Sequence, residues 1–244
     1  MSQNPYPDHP SGNPSDRPGG AGRGPAKVPI FNAPPFTMWT CGLLIVLHVI
    51  LQIAPRALSD RVWQYLAFLP GHFELELQAG HISLHSAVTL VTYAFLHVDW
   101  LHLLVNVGFL LVFGSVVERR FGVLWFVVIF ALSSVAGAFT QLLVVSSQAS
   151  VMIGASASVY GMTGAVLVLM ITSQGPIRRL GFTLIMVFMG INLVMGFVGN
   201  NASLFGGTIA WQAHIGGFAA GMALGWILSR VVPPPGWRRP RPLE

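Results

Sequence analysis

Gly154-Ala155-Ser156-Ala157-Ser158-Val159-Tyr160-Gly161 opens a stretch that runs to Ile171 without a single charged residue. A run of that length and apolarity reads as a helix crossing about 30 Å of hydrocarbon. Five further segments have the same character: Phe36–Ile53, Leu101–Val117, Phe121–Val145, Leu180–Val198 and Ala210–Val232. Composition agrees, with 53% hydrophobic and 9% charged residues, against roughly 25% charged in soluble domains. The expected fold class is therefore an all-α polytopic membrane protein with six transmembrane helices.

Flanking regions complete the domain plan. Residues 1–35 are rich in Pro, Gly, Ser and Asn and contain no apolar core. They read as a disordered tail and not as a signal peptide. Residues 36–232 form the membrane domain, and 233–244 a Pro/Arg-rich tail. Between the first two spans, Ala54 to Trp100 reads as one long loop. Within it, Leu58 to Phe68 carries Trp63 and Tyr65 and is expected as an interfacial helix.

The net charge of +5 does not point to nucleic acid, because the basic residues lie in short clusters between apolar runs. There they set topology. With the N-terminus inside, Arg17, Arg23, Lys27, Arg119, Arg120, Arg178, Arg179, Arg230, Arg238, Arg239 and Arg241 are cytoplasmic. Only Arg56 and Arg61 fall outside, a strong positive-inside bias that makes both termini cytoplasmic. Cys41 is the sole cysteine, so no intrachain disulfide forms. No Cys/His spacing suggests a metal, and no cofactor is expected.

This topology makes the second, fourth and sixth spans run from outside to inside. His102 and Asn106, Ser156, and His214 then all fall in the first turns of their helices, within roughly 10 Å of the outer end. Polar side chains at membrane depth are costly and commonly functional. A serine is a weak nucleophile until a base takes its proton, and His214 on a neighbouring helix supplies one. Gly154 and Ala155 leave room for a substrate backbone. The free N–H groups at the start of the fourth span suit an oxyanion. His102 and Asn106 share a helix face, and Tyr160 shares that of Ser156 and is placed to stack on His214. Gly217, Gly221 and Gly225 form a small-residue stripe that lets helices approach closely.

Simpler readings stand beside these. Ser158 is expected to be a packing residue, His48 an interfacial one, and His72, His81 and His85 exposed loop residues. The fifth span, with Phe182, Met186, Phe188 and Met189, reads as short of polar contacts and free to act as a gate. The Gly199–Ile209 loop reads as its mobile cap.

Taken together, these motifs resemble the rhomboid family of intramembrane serine proteases. The resemblance rests on Gly154-Ala155-Ser156 with Tyr160, on Ala213-His214-Ile215-Gly216-Gly217 with Gly221, and on His97 with His102-Leu103-Leu104-Val105-Asn106. Glu118-Arg119-Arg120-Phe121-Gly122 also matches, and the likeness covers Phe36 to Val232. It implies a six-helix rhomboid bundle and a Ser–His dyad, with Ser156 as nucleophile and His214 as general base. His102, Asn106 and the Ser156 amide match oxyanion donors, with Tyr160 and His97 as supporting residues. Glu118 and Arg120 match a polar network at the inner end of the second span. Implied partners are transmembrane protein substrates within a lipid bilayer, in a bacterial cytoplasmic membrane, with the site opening outward. Two departures concern substrate handling: Ala157 stands where the family often has Gly, and Val88-Thr89 where many members carry Trp-Arg. A transporter or channel, and a catalytically silent rhomboid adaptor, are the competing classes. The shallow, one-sided polar layer without acidic groups argues against the first, and retention of both Ser156 and His214 against the second.

Overall fold

Proline lacks a backbone N–H and suits the first turn of a helix, and Pro35 and Pro70 each open one. The computed structural model describes residues 33–144, 151–199 and 210–233. Nine α-helical segments lie among them. They are α1 (Pro35–Ile53), α2 (Arg56–Leu66), α3 (Pro70–Gln78), α4 (Leu84–Thr92), α5 (Trp100–Phe121), α6 (Val123–Val144), α7 (Ser156–Ile171), α8 (Gly175–Gly199) and α9 (Trp211–Val231). Residues 1–32 and 234–244 of the tails, and the expected Gly199–Ile209 cap apart from Gly199 itself at the end of α8, lie outside the described residues.

All six expected spans are helices, and the all-α polytopic membrane fold stands. α1, α5, α6 and the Gly175–Val194 part of α8 are long and apolar enough to cross a membrane by themselves. The other two owe their place to protein neighbours. α7 has only 16 residues, and from Ala157 to Val168 every one except Tyr160 is buried. α9 buries a face made largely of Gly216, Gly217, Gly221 and Gly225. A Cβ at Gly217 would strike the backbone of Ala157, and one at Gly221 the backbone of Gly161. α7 and α9 are thus packed backbone to backbone, the geometry that small-residue stripes permit. Around them, Leu44, Leu103, Leu110, Phe126, Ile129 and Met162 form the main apolar core.

The segment between the first two spans departs from the expected loop. The stretch expected to be helical there is a helix, α2, which buries none of its residues. Two further helices, α3 and α4, and a 3₁₀ turn at Tyr93–Phe95 follow. Ser83 caps α4 by accepting from the Ser86 N–H at 3.1 Å, and its own N–H donates to Glu76 at 3.0 Å. This short contact holds the Glu76 carboxyl down at about 2. Phe68 exchanges two backbone hydrogen bonds with Met152, of 3.1 and 2.8 Å, just ahead of α7.

Glu118, near the end of α5, closes the opposite end of the bundle. Its carboxylate accepts from the N–H groups of Phe36 and Thr37 and from the Thr37 hydroxyl, at 2.7–3.1 Å. It thereby satisfies the open N–H groups of α1 and complements that helix's positive end. Two residues on, Arg120 donates to the carbonyls of Val232 and Pro233, at 3.0 and 3.3 Å, at the end of α9.

α8 is held more loosely. Of its described side chains and glycines, only Gly181, Asn192 and Gly196 are buried. Gly181 faces Met170 and Ile171, Gly196 faces the Trp211 ring, and Phe188 meets Phe109, Phe113 and Tyr160 edge-on. The expectation that this helix lacks polar contacts is corrected by Asn192, whose bonds are described below.

Candidate active site

The chain enters α7 through a tight approach. Gly154 has φ of 109°, a backbone conformation that disfavours any side chain, and a Cβ there would meet the His102 ring at 2.5–2.7 Å. Its N–H donates to the Tyr93 carbonyl at 3.0 Å. The next N–H, of Ala155, donates to Nε2 of His97 at 3.4 Å. The segment before Ser156 is therefore fixed from the side by the turn that precedes α5.

Burial, and secondarily the nearby His102, push the His97 imidazole down to about 3. It is neutral at ordinary pH, with its proton on Nδ1 because Nε2 accepts. The His97 and His102 rings stand 5.1 Å apart. His102 sits in the first turn of α5, where its N–H is capped by Asp99 at 2.8 Å. One turn on, the buried Asn106 donates from Nδ2 to the His102 carbonyl at 2.9 Å.

Ser156 is the first residue of α7 and is half-buried. Its Oγ lies 2.8 Å from Nε2 of His214, in the first turn of α9. The Tyr160 ring, one turn along α7, lies parallel to the His214 imidazole within 5°, with centroids 4.5 Å apart. Gly217 and Gly221, below His214, provide the close approach of helices that a bond this short requires. Ser156, His214, Tyr160, Gly154, His102 and His97 thus converge at one end of α5, α7 and α9, while Asn106 lies one turn further along α5 and is tied to them only through the His102 carbonyl. This arrangement has the reach needed for proton transfer between hydroxyl and imidazole, with N–H donors nearby.

Several expectations are refined. Ser158 is fully buried, donates to the Phe130 carbonyl at 2.8 Å and shares a 2.6 Å bond with Ser134, as a packing serine does. His48 is buried within the protein, edge-on to Trp100 at 4.7 Å and 3.4 Å from the Gln52 amide. His72, His81 and His85 are exposed. The Ala157 methyl faces α6, where a Cβ at Gly137 would meet it at 2.6 Å. Gly137 supplies the space for that methyl, which consequently packs between helices. Among the described residues no cluster of three His, Cys, Asp or Glu side chains could hold a metal.

The sequence reading passed over Asn192. Its Oδ1 lies 2.8 Å from Nδ1 of His214, and its Nδ2 donates to the Trp211 carbonyl at 3.2 Å. The signal was available, since Asn192 is a lone amide in an apolar span, the same anomaly that singled out His214.

A polytopic α-helical membrane protein with a serine and a histidine hydrogen-bonded across two tightly packed helices is the class these features define. Within it, the chain belongs to the rhomboid family, a family of intramembrane proteases: a model of the Rhomboid domain matches residues 84–231, more than half of the chain. It is similar to RHOMBOID-like protein 5 of Arabidopsis thaliana, 31% identical over 57% of this chain and 43% of that protein. RHOMBOID-like protein 6, mitochondrial, of the same plant is 31% identical over 61% of this chain and 45% of its own length. Rhomboid protease GlpG of Haemophilus influenzae is 25% identical over 78% of this chain and 90% of that protein. The chain spans less than half the length of these two plant relatives.

Proposed function

We propose that this protein is an intramembrane serine endopeptidase that cleaves peptide bonds in or near transmembrane segments of other membrane proteins. The observation that carries this reading is the 2.8 Å contact between Ser156 Oγ and His214 Nε2. As the substrate approaches, Nε2 takes the hydroxyl proton and Oγ attacks the scissile carbonyl carbon. Negative charge develops on the carbonyl oxygen, toward the Ser156 N–H at the head of α7 and the polar groups of His102 and Asn106. His214 then returns its proton to the leaving amine nitrogen. Water enters, gives a proton to His214 and attacks the acyl carbon; as the bond to Oγ breaks, His214 passes that proton to Oγ, releasing the acid product and restoring the Ser156 hydroxyl. Tyr160, stacked on the imidazole, restrains its plane throughout.

The substrate is a membrane-spanning helix that unwinds locally to present its carbonyl, because a helical carbonyl is already hydrogen-bonded within its own segment. The shallow position of the site, near the starts of α5, α7 and α9, supports water entry from that side. The positive-inside bias supports assigning that side to the exterior and both termini to the cytoplasm. No metal or cofactor enters this chemistry.

A serine-directed fluorophosphonate tests the reading without knowledge of the substrate. The expected result is an adduct on Ser156, mapped by mass spectrometry, that disappears in His214→Ala. An unlabelled wild-type protein that also leaves a model transmembrane substrate intact would overturn the enzyme in favour of a helix-binding adaptor.

A further inference from the structure

A base that accepts through Nε2 must keep its proton on Nδ1, and a catalytic histidine commonly has a third group that enforces this. The dyad expected from the sequence contains no such group. The Asn192 amide has the geometry of one, and its orientation follows from its other bond. The Trp211 carbonyl can only accept, so the amide nitrogen faces it, and Oδ1 is turned toward His214. An oxygen at 2.8 Å from Nδ1 requires the imidazole to donate there, which leaves the Nε2 lone pair for the Ser156 hydroxyl. Asn192 is itself 1% exposed, so water does not compete for this bond.

We infer that Asn192 is the positioning residue of His214, an Asn–His–Ser relay in which its carbonyl oxygen selects the imidazole tautomer and steadies the ring as it becomes charged. The inference rests on the proposed Ser156–His214 chemistry. It also joins that chemistry to α8. Asn192 reaches His214 from the membrane-spanning helix with the fewest buried residues among those described, and Gly196, one turn on, is seated on the Trp211 ring. The base is consequently oriented while this part of α8 is docked on the start of α9, and loses its acceptor when that contact opens.

Two substitutions in the full-length protein in detergent separate positioning from structure. Asn192→Leu removes both the acceptor for Nδ1 and the donor to Trp211. Asn192→Asp keeps an acceptor oxygen and removes only the donor. Any purely structural cost of losing the Trp211 bond is shared by both, while loss of the acceptor is confined to the leucine variant. Saturation kinetics with a fluorophosphonate probe give the readout. For Asn192→Leu the maximal labelling rate of Ser156 is expected to fall about 10- to 150-fold, the worth of a hydrogen bond to a group that becomes charged. The probe concentration giving half that rate should be unchanged, and Asn192→Asp should recover most of the loss. Labelling of Asn192→Leu at the wild-type rate would overturn the inference, as would equal slowing of both variants. An unlabelled wild-type Ser156 would instead overturn the underlying dyad, and the inference with it.

Discussion

α9 and α8 both lie against α7, and they hold it in opposite ways. α9 meets it through glycines, with no side chain between the two backbones at Gly217 and Gly221. α8 touches the bundle through Phe188, two glycines and one amide, and leaves most of its other side chains outward. The first contact sets the separation of Ser156 and His214, because glycine packing leaves no rotamer to adjust. The second adds only the tie to Nδ1. Rigid backbone contact thus fixes the distance between Ser156 and His214, and a looser helix adds one bond to Nδ1.

The largest expected effect comes from removing the groups that the tight contact holds together. Ser156→Ala and His214→Ala should each reduce turnover by as much as about 10⁶-fold, since such pairs act as a unit. Residual cleavage by Ser156→Ala would mean that another residue attacks. Next is Asn106→Ala, for which single-turnover rates on a transmembrane substrate should drop about 10²- to 10³-fold if its amide helps bind the oxyanion. An unchanged rate would exclude it from that role.

Stability then distinguishes the two contacts directly. Gly221→Ala forces a methyl onto the Gly161 backbone, which cannot rotate aside, so the unfolding midpoint should fall by the equivalent of about 1–3 kcal/mol or more. Gly190→Ala, on α8, has open space around the new methyl. It should leave the midpoint unchanged or raise it by up to about 1 kcal/mol through helix propensity. Similar losses at both positions would erase the contrast between α8 and α9.

Between these two falls a pH effect. His97 is held near 3 in the folded protein against 6.5 for a free imidazole. Between those values the unfolded chain binds the extra proton, so stability is complete above about 6.5 and declines as pH falls toward 3. The slope contributed by His97 is at most about 1.4 kcal/mol per pH unit. Unfolding midpoints measured from pH 7 to 4 should show this decline, and His97→Gln should flatten it.

Hydropathy and charge made depth legible: the six spans, their order and the shared level of His102, Ser156 and His214 all follow from where apolar runs begin. They carried less about azimuth, the direction in which a residue faces around its helix. His48 illustrates this, since its depth suggested an interface while its direction places it in the packed interior against Trp100. Asn192 was missed for the same reason, because no spacing relates it to His214 until α8 is folded against α9. α3 and α4 escaped because nine-residue helices lack a sustained periodic pattern and draw on tertiary contacts, here Glu76 with Ser83 and the Phe68–Met152 pairing. Ser158 was read as a packing residue from its type and position, and its bonds to Phe130 and Ser134 give that role a geometry.

The segment Glu118–Arg120 binds the first residues of α1 and the two residues that follow α9, fastening both ends of the membrane domain with one clasp. In mechanical terms, tension applied between residues 34 and 233 is borne first by that clasp. It lies at the far ends of α5 and α9 from His102 and His214, so force transmitted through the chain's ends is absorbed before it can spread the two helices on which Ser156 and His214 meet.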